Sequence, residues 1–290
     1  MIHLENAKLI AEMSSDHQMR SPVNLNRFFT RHAVFTVDEL DRYLRDRRPH
    51  NASTRNSLLA YHRKQGHILH IRRGLYATAP WCMEAASMTV DPYLVAAKMA
   101  EDAVLAYHSA LEFHGRAYSA HWQLVYVSAG RSLPLTFQSR EFRRAPVPKP
   151  LSAKGAAMFG VTCHDRSGVA LQVASHERTL VDVLDRPELS GGWEEIWRSL
   201  ESVEFFALDR VIAYARLLGN ATTAAKVGFF LEQQRERLMV EKAHLDALRE
   251  LCPRQPHYLT RRQPKGCRWV KDWNLMVPAE ILERSWGEML

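Results

Sequence analysis

Residues 66–77 have the sequence GHILHIRRGLYA, and this stretch decides how the first part of the chain folds. Two short runs within it, 68–71 and 75–77, are rich in the β-branched and aromatic residues that favour strands. Between them lies Arg72-Arg73-Gly74, in which the glycine permits a tight turn. We therefore predict a β-hairpin that carries two arginines at its tip.

Three short helices are predicted before the hairpin. Residues 25–29 place their apolar side chains at helical spacing. Thr36 and Glu39 then have the spacing of a capping box, which marks the start of a second helix. Ser53 is a suitable N-cap for a third helix, and Gly66 a suitable C-terminal residue for it. Three helices followed by a small hairpin are typical of a winged helix-turn-helix.

The remainder of the chain indicates an α+β protein. Residues 1–22 are predicted to form an N-terminal arm, residues 23–80 the winged helix-turn-helix, and residues 90–290 a larger mixed α+β domain rich in helices. Within that domain we expect a helix over 104–113 and a hairpin over 159–173.

Charge is concentrated in the predicted winged helix-turn-helix. Residues 21–80 hold 11 Lys and Arg against 4 Asp and Glu, a net charge of +7, which equals the formal charge of the whole chain. A compact basic unit is typical of a protein that binds a polyanion. A second stretch, 116–178, holds 9 basic and 3 acidic residues and is a further candidate for a DNA-facing surface.

The third helix and the hairpin supply side chains suited to double-stranded DNA. Arg can bond guanine, Asn can bond adenine, and a small residue such as Ala60 lets a helix approach the major groove closely. Hydroxyl groups at a helix start, and arginines at a hairpin tip, can contact phosphates or a minor groove. The predicted DNA-binding residues are Ser53, Thr54, Arg55, Asn56, Arg63, Lys64, Arg72 and Arg73.

Neither a membrane segment nor a cofactor is expected. No apolar run approaches the roughly 20 residues that span a bilayer, and residues 1–15 lack the pattern of a secretory signal. The four cysteines do not have the spacing of a zinc site or a disulfide framework. We therefore expect a cytoplasmic protein that needs no metal and no cofactor.

The chain resembles the AbiEi family of antitoxins and transcriptional regulators from type IV toxin–antitoxin systems. The resemblance rests on residues 35–40 (FTVDEL), the hairpin sequence of residues 66–77, residues 105–115, and the stretches 177–182 and 185–192. It extends to about Leu218.

The resemblance implies a repressor of its own operon that binds promoter inverted repeats through the winged helix. It implies a C-terminal domain with antitoxin activity against a nucleotidyltransferase-like partner and a role in cooperative DNA binding. The DNA-contacting positions that it carries over are Arg55, Asn56, Arg63, Arg72 and Arg73.

Two alternatives remain open. One is a DNA-directed enzyme such as a nuclease, for which His164, Asp165, Asp182, Asp185 and Glu188 are the candidate residues. No Asp…Glu-x-Lys pattern accompanies them, and we expect Asp182 and Asp185 to form exposed ion pairs with Arg178 and Arg186. We therefore favour a protein that is not an enzyme. The other alternative is a DNA-binding regulator whose C-terminal domain senses a ligand or partner.

His108 and Glu112 also have the spacing of a shared helix face. We interpret them as a buried polar pair.

Overall fold

A computed structural model describes residues 25–46, 51–79, 88–260 and 266–284. The predicted arm, residues 1–22, lies outside the described residues, as do Arg47, Arg48 and Cys82. The described chain is a mixed α+β protein with three separate sheets. Among the described residues, no helix combines the length and apolar character needed to cross a bilayer.

The N-terminal part, residues 25–79, is called the head. Its elements are α1 (Asn26–Arg31), β1 (Val34–Thr36), α2 (Val37–Arg45), α3 (Ala52–Lys64), β2 (Ile68–Arg72) and β3 (Leu75–Thr78). The capping box predicted at the start of α2 is present, since Thr36 and Glu39 each bond the other's backbone N–H. Strand β1 is an element that the sequence analysis missed. Three residues between two helices give too little periodicity to predict a strand.

The sheet of the head has the order β1-β3-β2 and is covered on both faces. Phe35, Ile68 and Tyr76 point toward the three helices. Val34 and Leu75, with Ala77, point the opposite way and pack into the hydrophobic core of the following part of the chain. Because both faces are apolar, the head does not end at a polar boundary. The predicted division near residue 80 separates two parts that share one hydrophobic cluster.

The remaining described residues, 88–284, are called the body. A six-stranded sheet with the order β6-β7-β5-β4-β9-β8 lies next to the head. The elements of this region are α4 (Pro92–Ala97), β4 (Val104–Leu105), α5 (His108–Phe113), β5 (Gln123–Ser128), β6 (Leu135–Phe137), β7 (Arg140–Pro146), α6 (Lys149–Ala153), β8 (Val161–Arg166) and β9 (Val169–Ala174). The predicted hairpin over 159–173 is confirmed as β8 and β9.

The prediction of one helix over 104–113 is wrong in its first half. Val104 and Leu105 form β4, which lies between β5 and β9 in the sheet, and the helix begins only at His108. Tyr107 separates the two elements with a positive φ of 57°. A short apolar run is compatible with a buried helix or a buried strand, and only pairing with distant strands selects between them.

Helices form the second half of the body. They are α7 (His176–Asp185), α8 (Trp193–Glu201), α9 (Leu208–Leu218), α10 (Ala221–Gln233) and α11 (Lys242–Arg249). They enclose a second hydrophobic core that includes Trp197 and Trp273. The chain then forms a three-stranded sheet from β10 (His257–Tyr258), β11 (Cys267–Val270) and β12 (Leu275–Pro278), followed by α12 (Ala279–Glu283).

Candidate nucleic-acid interface

Helix α3 is the most exposed helix of the head. Asn51 caps it, because its side-chain oxygen accepts a hydrogen bond from the Thr54 backbone N–H at 2.9 Å. The predicted N-cap, Ser53, therefore lies inside the helix. Leu59 is the one residue of α3 that is buried, and it packs into the core of the head.

A stripe of exposed polar and small residues runs along α3. Its members are Ser53, Asn56, Ser57, Ala60, Arg63 and Lys64. They recur at intervals of three and four residues, so they lie on one face of the helix. The middle of the stripe has only small side chains, and its C-terminal end has two cations. A surface of this shape can approach another molecule closely, with its positive charge at one end.

Arg55 lies beside this stripe and bonds to the head itself. Its guanidinium donates to the Asp41 carboxylate at 2.7 Å and to the Asn56 side-chain oxygen at 3.2 Å. The Asp41 contact links α3 to α2. From the sequence we expect Arg55 to extend toward DNA, and this arrangement differs from that expectation. Asn56, by contrast, is exposed and held in place by its neighbour.

Arg72 also differs from its predicted place at the hairpin tip. It is the last residue of β2, and its guanidinium donates to the Met99 carbonyl at 2.7 Å and to the Ser132 hydroxyl at 3.3 Å. Both partners belong to the body. The physical reason is that the hairpin packs one apolar face on the body, which brings its end against the loops around residues 99 and 132. Arg72 thus fastens the hairpin to the body.

Arg73 is the exposed arginine of the hairpin turn. The hydrogen bond between Arg72 and Ser132 brings the loop around residue 132 to the hairpin. Arg131, which precedes Ser132 in the chain, is exposed. The basic composition of residues 116–178 did not show that this loop would reach the hairpin.

Arg72 and Arg73 should therefore respond differently to substitution. Arg73→Ala removes an exposed cation, so we expect unchanged stability and a salt dependence of duplex binding that is lower by about 0.9 in log–log slope for a lost phosphate contact. Arg72→Ala leaves the buried Met99 carbonyl without its donor, so we expect it to lower the free energy of unfolding by about 1–3 kcal/mol. Urea unfolding and binding titrations at several salt concentrations measure both.

The opposite pattern would contradict this assignment. If Arg72→Ala lowers the salt slope and leaves the unfolding midpoint unchanged, Arg72 contacts phosphate and does not fasten the hairpin.

A second contact between head and body lies at the start of α2. Glu39 pairs with Lys98, and burial of Glu39, which by itself would raise its pKa, is outweighed by hydrogen bonds from Lys98 and Thr36 that hold the pKa below its ordinary value. Beside this ion pair is a cleft of about 480 Å³, lined by residues 97–101 and 168–170 of the body together with Thr36, Asp38, Glu39 and Arg42 of the head. Polar contacts at Arg72 and at Glu39 thus join the head to the body alongside the shared hydrophobic cluster, and an open cleft lies next to the second of them.

A solved structure has a similar fold over most of the chain. The chain is similar to the crystal structure of the RV2827C protein from Mycobacterium tuberculosis, with a TM-score of 0.60 and 20% sequence identity, over 93% of this chain and 96% of that chain. The likeness is one of fold. No protein-family model and no curated protein matches the chain.

The basic stretch 116–178 does not present all of its charge to solvent. Arg140 pairs with Glu112 at 3.1 Å, Arg166 pairs with Asp91, and Arg178 is buried. Arg178 is buried, whereas Arg140 and Arg166 are partly exposed and are paired with carboxylates of the body. Arg131 is exposed and precedes Ser132, which contacts Arg72 of the hairpin.

The carboxylates considered for catalysis lie in different surroundings. Asp182 is buried and accepts hydrogen bonds from the Tyr214 hydroxyl at 2.7 Å and from Arg178 at 3.3 Å. Asp185 instead bonds to Asn220 and Thr223. The expectation that Arg178 and Asp182 form an exposed ion pair is wrong, since their side chains are 1% and 3% exposed.

The reason for this burial is the loop before β8. The Arg178 guanidinium donates to the carbonyls of Ala157 and Phe159, which cover it. Arg186 pairs with Glu188 at 3.3 Å rather than with Asp185.

His108 and Glu112 are each buried or half-buried, but they do not pair with each other. His108 bonds to Glu195 at 3.1 Å, whereas Glu112 pairs with Arg140. Hydrogen bonds from Ser119 and Ser199 hold the pKa of Glu195 below its ordinary value, although burial acts to raise it.

Within the described residues, no group of three or more His, Cys, Asp or Glu side chains could hold a metal ion.

Proposed function

We propose that the head is a winged helix-turn-helix and that the protein is a sequence-specific regulator that binds double-stranded DNA. The order helix, strand, two helices and hairpin, with the sheet order β1-β3-β2, supports this assignment. In such a domain the third helix enters the major groove, and here that helix is α3.

The observation that carries the proposal is the exposed stripe on α3. Ala60 and Ser57 allow close approach to base edges, Asn56 has the side chain that recognises adenine, and Arg63 and Lys64 can bond guanine or phosphate. The stripe belongs to the part of the chain that carries the excess positive charge. Shape and charge therefore both suit the major groove of a duplex.

The hairpin contributes to this interface in a modified way. Because Arg72 is fastened to the body, Arg73 is the exposed hairpin arginine, and the exposed Arg131 of the body precedes Ser132, which Arg72 contacts. We infer that phosphates beside the α3 site are contacted by one arginine from each part of the molecule. The rigid attachment fixes the distance between these contacts and the recognition helix, which lowers the entropic cost of binding.

The biological role that we propose follows from the resemblance to AbiEi antitoxins. In that role the protein represses its own operon by binding inverted repeats in the promoter, acts in the cytoplasm, and counteracts a nucleotidyltransferase-like toxin encoded nearby. In this role the protein binds DNA and a partner protein and is not an enzyme. The burial of Asp182, whose carboxylate accepts hydrogen bonds from Tyr214 and Arg178, favours this role over that of a nuclease.

A regulator that senses a ligand is the second candidate. The observation in its favour is the cleft beside the Glu39–Lys98 ion pair, because a small polar molecule bound there would contact both head and body. A nucleotidyltransferase gene adjacent to this one favours the antitoxin. A small molecule that changes promoter affinity favours the sensor.

Fluorescence anisotropy with the duplex upstream of the gene tests the proposal. We expect the full chain to bind this duplex more tightly than a shuffled duplex of equal length at the same salt concentration. Asn56→Ala should cost roughly 1–3 kcal/mol on the upstream duplex and little on the shuffled one, since it removes a base contact.

Ser202→Ala, in the body, is a matched control for loss of a small polar side chain and should leave both affinities unchanged. Equal affinity for the two duplexes would remove sequence-specific regulation. A lack of binding to either duplex in dilute buffer would overturn DNA binding by the head.

A further inference from the structure

Helix α3 carries an exposed aromatic side chain that is not part of its polar stripe. Tyr61 is 57% exposed. It lies four residues after Ser57 and three residues before Lys64, so it shares a side of the helix with both. Because an α-helix turns by about 100° per residue, Asn56 and Arg63 lie about 140–160° around the axis from Tyr61. The exposed face of α3 therefore has Asn56 and Arg63 at one edge and an aromatic ring at the other.

The Tyr61 ring is supported from below by the head. It contacts the His62 ring edge to face, with the ring centroids 5.2 Å apart. The His62 ring in turn packs edge to face on Phe29 of the core, and its Nδ1 lies at hydrogen-bond distance, 3.0 Å, from Nδ1 of His67. The part of the Tyr61 ring that remains exposed is thus presented to a partner from a fixed base.

The charge of α3 suits a nucleic acid, and the ring of Tyr61 narrows the contact to one kind of chemical group. None of the 13 residues of α3 is Asp or Glu, and both Arg63 and Lys64 are exposed. The carbon atoms of an exposed ring gain little from a charged phosphate and more from an apolar group. In the major groove the base pairs present hydrogen-bond donors and acceptors together with one apolar group, the C5 methyl of thymine.

We propose that Tyr61 determines specificity for a thymine by packing its ring against the C5 methyl group. This inference rests on the proposed binding of α3 in the major groove, and it adds a residue and a base to that function. The two edges of α3 then recognise the duplex in different ways. Asn56 and Arg63 form hydrogen bonds at one edge, and Tyr61 makes an apolar contact at the other.

Exchange of thymidine for deoxyuridine tests the proposal, because it removes the methyl group and keeps the hydrogen-bonding groups of the base. Anisotropy measures the affinity of the full chain for the upstream duplex with deoxyuridine at every thymidine position, and then with thymidine restored at one position at a time. At the position that Tyr61 contacts, we expect thymidine to strengthen binding by about threefold to fourfold, the value of burying one methyl group. In Tyr61→Ala, thymidine at that position should give no gain.

Two variants serve as controls. Tyr61→Phe keeps the ring and should keep the preference for thymidine. Tyr118 is 58% exposed and belongs to the body, so Tyr118→Ala removes a matched side chain and should leave both the affinity and the preference unchanged. Thermal unfolding verifies that each variant is folded.

The possible failures are distinguishable. A chain that binds the upstream duplex but gains nothing from any restored thymidine would overturn the inference and leave the proposed function intact. An equal gain at every position in the wild type and in Tyr61→Ala would also overturn it, because another side chain then contacts the methyl group. If Tyr61→Phe loses the preference as Tyr61→Ala does, the hydroxyl makes the contact and the inference is wrong. Absence of binding to any duplex would overturn the proposed function and this inference together.

Discussion

Replacing both Arg63 and Lys64 by alanine should weaken duplex binding by roughly tenfold to a hundredfold and lower the log–log salt slope by as much as about 1.8. Both side chains lie exposed at the C-terminal end of the α3 stripe. If each side chain contacts a phosphate, binding releases about one counterion for each contact. Removing both side chains then lowers the salt slope by the sum of the two contributions. Titrations of the upstream duplex between low and moderate salt give the affinity and the slope from the same data.

A control of equal charge makes this result specific. Arg210 and Arg216 are exposed on α9, outside the head, so replacing both by alanine removes the same charge from a surface remote in sequence from α3. We expect this control to change the affinity only slightly through the net charge of the protein. Similar losses in the two double variants would show that net charge governs binding and that α3 does not face the duplex.

Replacing Asp182 by alanine should lower the free energy of unfolding by about 3–5 kcal/mol, because it leaves the buried Arg178 guanidinium without its counter-charge. Complete burial raises the pKa of Asp182 above its ordinary value, although Arg178 and the Tyr214 hydroxyl both stabilise its charged form. The Asp182 carboxylate has therefore lost its hydration, and its charged form depends on Arg178 and the Tyr214 hydroxyl for stabilisation. Urea unfolding of the full chain measures the loss.

Two further variants determine the origin of that loss. Asp209→Ala removes a carboxylate that is 96% exposed, and its cost should lie within about 0.5 kcal/mol of zero. Arg178→Met combined with Asp182→Leu removes both charges, so we expect it to recover much of the stability lost in Asp182→Ala. If the double variant is as unstable as Asp182→Ala alone, the loss comes from packing or from the Tyr214 hydrogen bond and not from an unpaired arginine.

Local sequence signals predicted the three helices of the head and the two hairpins. The Thr36–Glu39 capping box is a contact within three residues along the chain, and it is present. The hairpin of residues 66–77 follows from two short β-rich runs around Arg73-Gly74. These features depend on neighbouring residues, whose chemistry and spacing are visible in the sequence.

The errors concern elements whose structure depends on distant partners. Val104 and Leu105 form a strand because β5 and β9 lie on either side of them. The start of α3 was predicted at the wrong residue for a different reason. Asn51 and Ser53 are both suitable N-caps, and the sequence alone does not select between them. In each case the local preference allowed more than one outcome.

The candidate site shows the same division. The sequence identified the basic head and the polar face of α3, but it did not distinguish arginines that are exposed from arginines that are already bonded. Arg55 bonds to Asp41, 14 residues away, and Arg72 bonds to Met99, 27 residues away. Ser132, in turn, comes next to the head through its hydrogen bond with Arg72, 60 residues away.

By itself the sequence determined the periodicity of the helices, the turn at Gly74 and the concentration of positive charge in the first part of the chain. The tertiary structure decided that the sheet of the head is covered on both faces and that Arg72 joins head to body. The physical reason is the separation along the chain between the residues that interact. Propensity, capping and net charge are set by residues close together in the chain, whereas burial, ion pairing and strand register depend on which distant segments pack against each other.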